Sequence, residues 1–226
     1  MYRAASHSLS AAGFEHYEVS NYARAGHRSR HNAAYWRNEP FLALGLGATS
    51  HLRNVRLARP RTMGAYEKWV GALESTGWEA SVARAAEAGD AVREEGREAL
   101  TTLLMLRLRT RDGVDFDELR ARFGAELGGA AAAACEAAAS ELPSEWARLT
   151  PRLAPASAGS SGAASAGTSS GASSAGTSGP ASTEGEWSGM ALLDPDGFLF
   201  SNDAIATVFA RLDELSPEDD DEEEEG

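Results

Sequence analysis

The sequence predicts an α/β chain in two parts, a helix-and-strand unit followed by a small winged-helix-like α+β domain with a disordered insert. Three observations carry this. Residues 2–20 read as helix, glycine and strand, the αβ step of a mixed fold. From Ala91 onward the apolar periodicity gives three helices, a hairpin and a closing helix. Between the hairpin arms, Ala154 to Glu186 is almost wholly Ala, Ser, Gly and Thr, a composition that buries too little apolar surface to offset the entropy of ordering it.

In chain order, residues 2–12 place Ala5, Leu9 and Ala12 on one helical face, with Gly13 just past the helix end. These residues are free of acids and rich in Ala and Ser, so a transit peptide competes with the helix; continuity with the next strand favours the helix. Phe14 to Ser20 reads as a strand, and Asn21 to Pro40 as a long loop holding one helical turn. Phe41 to Leu46 is apolar enough for a strand buried on both faces and runs into a Gly-rich turn. Leu52 to Met63, rich in Arg and containing Pro60, reads as loop or edge strand.

A helix over Gly64 to Glu74 carries Tyr66, Trp69, Val70 and Leu73 on one stripe. The next, Ala91 to Leu108, turns Leu100, Leu103, Leu104 and Leu108 inward, with Arg107 and Arg109 complementing its C-terminal dipole. Asp115 to Phe123 follows, with Phe116 and Leu119 inward and Gly124 as its stop, and the alanines at 130–134 and 137–139 form a further helix ending before Pro143. Trp146 to Leu153 and Trp187 to Leu193 are the hairpin arms. Asp194-Pro195-Asp196-Gly197 signals a turn, and Phe198 to Leu212 a final helix capped by Ser201 or Asn202.

The formal charge of -13 hides an asymmetry, because Glu218 to Glu225 is an unbroken acidic run. Residues 1–70 carry ten bases against Glu15, Glu18, Glu39 and Glu67, which suits either a solvated basic face or an anionic ligand. The arginines are scattered, which argues against nucleic acid. The single cysteine, Cys135, excludes internal disulfides and any cysteine-ligated cluster or zinc site built from this chain alone, and in its Ala-rich helix it reads as a buried small side chain. No apolar run reaches the roughly 18 residues of a membrane span.

Four of the five histidines fall between Phe14 and His51. Here Tyr17-Glu18-Val19-Ser20-Asn21-Tyr22-Ala23, Gly26, His31-Asn32-Ala33-Ala34-Tyr35-Trp36 and Leu44-Gly45-Leu46-Gly47-Ala48-Thr49-Ser50 resemble the second half of the radical S-adenosylmethionine domain of the oxygen-independent coproporphyrinogen oxidase-like proteins, in their HemW heme-chaperone branch. Leu104 to Gly124 and the closing DPDGFLFSN resemble that family's C-terminal domain. The resemblance covers about 1–153 and 187–213. It implies the C-terminal part of a partial (β/α) barrel over residues 1–80, a HemN-like C-terminal domain over 81–153 and 187–213, the insert at 154–186 and an acidic tail at 214–226.

The resemblance further implies heme binding and transfer to apoproteins, a location in the cytoplasm or in an organelle stroma or matrix, and, for the complete protein, a 4Fe-4S cluster with S-adenosylmethionine. The family's CxxxCxxC cluster motif is absent from this sequence, so radical chemistry by this chain alone is not expected, and the chain reads as a C-terminal fragment or truncated gene product. A coproporphyrinogen oxidase-like enzyme completed by the missing half, and a non-catalytic module contacting a partner protein, are the rival readings.

The HNxxYW block makes His31 the candidate heme-iron ligand, through Nε2, with Asn32 or a carbonyl fixing its tautomer and Tyr35 and Trp36 offering flat apolar surface. Arg28, Arg30 and Arg37 are candidates for the propionates. The plainer alternative has His31 and Asn32 bonding loop backbone and the aromatic pair anchoring a core. Gly45, Gly47 and Ala48, with Glu18 and Ser20, are candidates for contact with S-adenosylmethionine; a tight turn and an outward polar strand face explain them equally. His51 reads as a polar loop histidine or a second ligand.

Overall fold

The computed structural model describes residues 1–152 and 187–216. The insert expected at 154–186 and most of the acidic tail expected at 214–226 lie outside the described residues. Helices and small antiparallel sheets alternate along the rest.

Helix α1 (Tyr2–Ala11) buries Ser6 rather than the alanine face expected of it, because the Ser6 hydroxyl donates to Asp194 at 2.7 Å. Strand β1 (Glu15–Glu18) turns at once into β2 (Asn21–Ala23) as an antiparallel hairpin, so the strand expected to run to Ser20 stops at Glu18. The Glu18 carboxylate explains the stop: it accepts from the Ser20 amide at 3.1 Å and from Asn21 Nδ2, closing the turn. The expected long loop contains this second strand and also α2 (Arg30–Trp36). Ser29 caps α2 by accepting from the Asn32 amide at 3.2 Å.

Phe41 to Leu46 is not the expected buried strand. Phe41 alone forms a bridge, to His51, and Leu42, Leu44 and Leu46 are exposed. The strands lie immediately after: β3 (Thr49–Leu52) and β4 (Val55–Ala58) form a hairpin whose two-residue turn, Arg53-Asn54, has both φ angles positive at 50° and 60°, the turn geometry that matches strand twist. The stretch read as loop or edge strand therefore supplies β4, the central strand of the sheet β3-β4-β5, with Val55 and Leu57 buried.

Helix α3 (Met63–Glu87) outruns the expected 64–74 and is broken at Gly77 (φ 78°, ψ 179°). Strand β5 (Ala91–Arg93) takes residues expected to begin the next helix; α4 runs over Gly96–Arg107 and buries Leu100, Leu103 and Leu104 as its periodicity predicts. Strand β6 (Val114–Asp115) leads into α5 (Phe116–Glu141), whose two expected segments join across Gly124 (φ 82°, ψ 172°). The hairpin forms as expected, β7 (Ala147–Pro151) pairing antiparallel with β8 (Trp187–Leu192), and β8 is central in the sheet β6-β8-β7. The closing helix divides into α6 (Asp196–Leu199) and α7 (Ser201–Leu215), with Phe200 in the capping position instead of Ser201 or Asn202.

One continuous core joins α4, α5, β6, β7, β8, α6 and α7 around Phe116, Leu119, Met190, Leu192, Val208 and Leu212. The alanine run of α5 lets the face carrying Ala131, Ala132, Ala134, Cys135 and Ala138 be wholly buried. The β1 end docks on this body through backbone bonds of 3.0 Å, Val19 N–H to the Arg109 carbonyl and Arg111 N–H to the Tyr17 carbonyl. Every strand pair among the described residues is antiparallel, whereas a (β/α) barrel is built from parallel strands.

Candidate functional site

The capped helix α2 holds the whole HNxxYW block and divides it between two faces. His31 and Tyr35, four residues apart, stack edge to face with ring centroids 4.8 Å apart. Tyr35 meets Phe41 at 4.5 Å, and Phe41 lies 6.1 Å from the His51 ring. His31 is exposed and Tyr35 is 39% exposed, so the edge of this aromatic row faces solvent. Trp36 belongs to the other face, where with Arg30 and Arg37 it lines a cleft against the end of α4. Asn32 is half-buried and its backbone is used in the cap; no hydrogen bond joins its side chain to His31 among the described residues.

His51 is not a loop histidine. It sits on β3 with 2% exposure, Nε2 lying 3.9 Å from Glu94, and neither ring nitrogen has a hydrogen-bond partner among the described residues. Burial, reinforced by the charge of Arg56, holds its pKa below the usual histidine value. An incoming ligand would not reach it.

Arg28, read from the sequence as a propionate partner, is already committed. It donates to Glu15 and to both oxygens of Asp112 at 2.8 and 3.0 Å; these bonds, Glu15 first, raise its pKa and lower that of the Glu15 carboxyl. Arg37 reaches Glu39 only at 3.5 Å, and Arg30 has no ion pair among the described residues.

The other proposed contacts form separate local structures. Glu18 is fully buried by its own turn, and Ser20 is exposed beside it. In the glycine turn, Gly47 N–H donates to the Pro60 carbonyl at 3.0 Å, Ala48 N–H to Gly45 at 3.4 Å, and Arg59 N–H to Ala48 at 2.9 Å. The two amides are thus bonded within the protein, and a Cβ on Gly47 would stand 3.3 Å from Arg61.

The sequence reading missed Tyr17, Arg107, Thr110 and Asp112 as walls of the cleft beside Trp36. All four fall in stretches already singled out, Tyr17–Ala23 and Leu104–Gly124, but neither pattern marks them as walls of one cleft, because they meet α2 only through the docking of β1 on the loop after α4. Also missed was buried His16, whose Nδ1 lies 2.5 Å from Asp194 and whose ring stacks on Tyr22 at 3.9 Å.

Cys135 lies fully buried in α5, its thiol pKa pushed up to about 12 by burial, with Glu136 adding to the effect. Among the described residues no group of three or more His, Cys, Asp or Glu side chains is placed to hold a metal ion, and no helix is long and apolar enough to cross a membrane.

The sequence pattern of the HemN C-terminal domain matches residues 95–141, which span α4, β6 and α5. The heme chaperone HemW of Synechocystis sp. is 52% identical over 69 residues, 30% of this chain and 17% of that protein. That of Bacillus subtilis is 26% identical over 129 residues, 57% of this chain and 31% of that protein. The mitochondrial radical S-adenosyl methionine domain-containing protein 1 of Danio rerio is 38% identical over 85 residues, covering 34% and 18% respectively. No solved structure matches. The aligned parts span under a third of each of these relatives. The chain is similar to part of the HemW heme chaperones, and its residues 95–141 match the HemN C-terminal domain.

Proposed function

We propose that the chain supplies heme-binding and C-terminal portions of a HemW-like heme chaperone, which binds heme and passes it to apoproteins. The observation that carries this is the complete HNxxYW block on a capped helix, with His31 exposed and seated against the Tyr35 ring. An exposed imidazole is the form of histidine that an iron can reach without unfolding its surroundings. His31 is the residue that would hold the heme iron, Tyr35 the surface beside it, Asn32 the residue that fixes the helix start through its backbone, and Trp36 a wall of the neighbouring cleft.

Heme, when bound, supplies the iron and the porphyrin face; the chain supplies the imidazole, the rigid helix that aims it and an aromatic flank. The 4Fe-4S cluster does not fit the residues present, since Cys135 is the only thiol and lies wholly buried. Gly45, Gly47 and Ala48, with Glu18 and Ser20, stay as proposed S-adenosylmethionine contacts on family likeness alone, because their polar groups are turned to local bonds.

On the same reading, residues 1–80 correspond by family likeness to the C-terminal part of a partial (β/α) barrel, their strands β1-β2 and β3-β4 pairing here as antiparallel hairpins, and 81–153 with 187–213 to a winged-helix-like domain. The packing of the β6-β8-β7 sheet on α5 and α7 supports the second. A cytoplasmic, stromal or matrix location belongs to this proposal too.

Titration of the chain with hemin tests the function. A shift of the Soret band that His31→Ala abolishes is the expected outcome; no shift, or one that survives the substitution, sinks the reading.

A further inference from the structure

The cleft between α2 and the end of α4 has a volume of about 450 Å³ and is lined by Arg30, Trp36 and Arg37 of α2 and its end together with Tyr17, Arg107 and Thr110. Two of these residues hold buried N–H donors without an acceptor among the described residues: Trp36 Nε1 and Arg107 Nε. Arg107 spends its NH2 on the two oxygens of Glu118, at 2.8 and 2.9 Å, and leaves Nε idle. A buried donor without a partner costs about 1–3 kcal/mol. Both residues line the same cleft, so one acceptor bound there suits both donors.

The charge points the same way. Four arginines line the cleft against Glu39 and Asp112, and Asp112 is occupied by Arg28. Among the described residues Arg30 makes no ion pair and Arg37 is held weakly, so the wall keeps a positive surplus. Tyr17 and Trp36 add aromatic surface. A small inorganic anion would use the charge and leave that surface idle; a carboxylate carried on a flat ring system uses both.

We propose that this cleft is a carboxylate site for an aromatic ligand, with Trp36 Nε1 and Arg107 Nε donating to the carboxylate and Arg30 and Arg37 holding the charge at its mouth. On the heme-chaperone reading, on which this assignment of the ligand rests, the carboxylate is a porphyrin propionate. Arg107, in the segment that matches the HemN C-terminal domain, then becomes a specificity residue for that ligand.

Iron-free protoporphyrin IX and its dimethyl ester separate this from iron ligation. Trp36→Phe keeps the ring and removes the N–H; Arg107→Lys keeps the charge and removes Nε. Binding to the full chain is followed by porphyrin fluorescence, and the melting temperature of each variant confirms folding. The free acid should bind the wild type more tightly than the ester, and each variant should weaken the acid about tenfold while leaving the ester unchanged. Equal binding of acid and ester, no binding of the acid, or variants that match the wild type would overturn the site. Displacement by inorganic phosphate as readily as by propionate would overturn the carboxylate assignment. Loss of the His31-dependent hemin shift with acid-selective porphyrin binding intact would sink the chaperone reading and spare the cleft; the reverse pattern would sink the cleft alone.

Discussion

Cys135 and His51 show how position overrides residue type. A thiol with its pKa pushed up to about 12 carries almost no thiolate at neutral pH, so native protein should leave a thiol reagent such as dithionitrobenzoate unreacted, and denaturant should release one equivalent. Rapid labelling of the native chain would contradict the burial of Cys135. For His51 the folded pKa is lowered, chiefly by burial. The unfolded chain therefore takes up the proton first as pH falls below 6.5, and stability present above that value is lost on acidification. His51→Gln should flatten the fall of melting temperature with pH in this window; an unchanged slope would show that His51 does not set it. Cys135 was legible because an alanine run around a lone cysteine already spells a close-packed face. His51 was not, since it lies within a hairpin that its loop-like neighbours do not announce and meets Glu94 from far along the chain.

Elements were legible where one side-chain pattern sufficed. The leucines of α4 and the hairpin arms at Trp146 and Trp187 needed only periodicity. The hairpin β3-β4 hid behind its Arg53-Asn54 turn, which lacks a glycine, and behind Arg56 of β4, whose stem can border a sheet while its head reaches Glu94. Phe41 to Leu46 misled in the opposite direction: its apolar run looks like core, yet Leu44 is 79% exposed. Leu44→Ser should accordingly shift stability by no more than about 0.5 kcal/mol, and a loss of several degrees in melting temperature would mean the segment is covered in solution. Gly113 lies at the other extreme. Its φ is +67°, and a Cβ would stand 2.2 Å from the Met190 carbonyl oxygen, so neither backbone nor space admits a side chain. Gly113→Ala should cost about 3 kcal/mol by equilibrium denaturation; a near-neutral variant would place β6 further from β8 than described.

For the molecule as a whole, the question is what fastens the N-terminal residues, including the HNxxYW helix, to the C-terminal core. The family motifs marked both regions in the sequence, but nothing in either marks the joint, because it is made by residues almost two hundred positions apart. Asp194 is its centre: it accepts from Ser6 of α1 at 2.7 Å and meets His16 of β1 at 2.5 Å, while Phe198 presents its edge to the His16 ring at 5.0 Å. Arg3 of α1 adds an ion pair to Asp196 at 2.5 Å. Hydrogen bonds to a charged group contribute about 1.5–3 kcal/mol, so Asp194→Ala should release α1 and β1 by roughly that much while the packing of α5 on α7 persists. Native-state hydrogen exchange reads this directly: amides of α1 and β1 should lose about tenfold to a hundredfold of their protection, and those of α5 and α7 should keep theirs. Uniform loss throughout the chain would mean that Asp194 supports the core itself, and unchanged protection in α1 would mean that the backbone bonds of Val19 and Arg111 suffice to hold the two regions together.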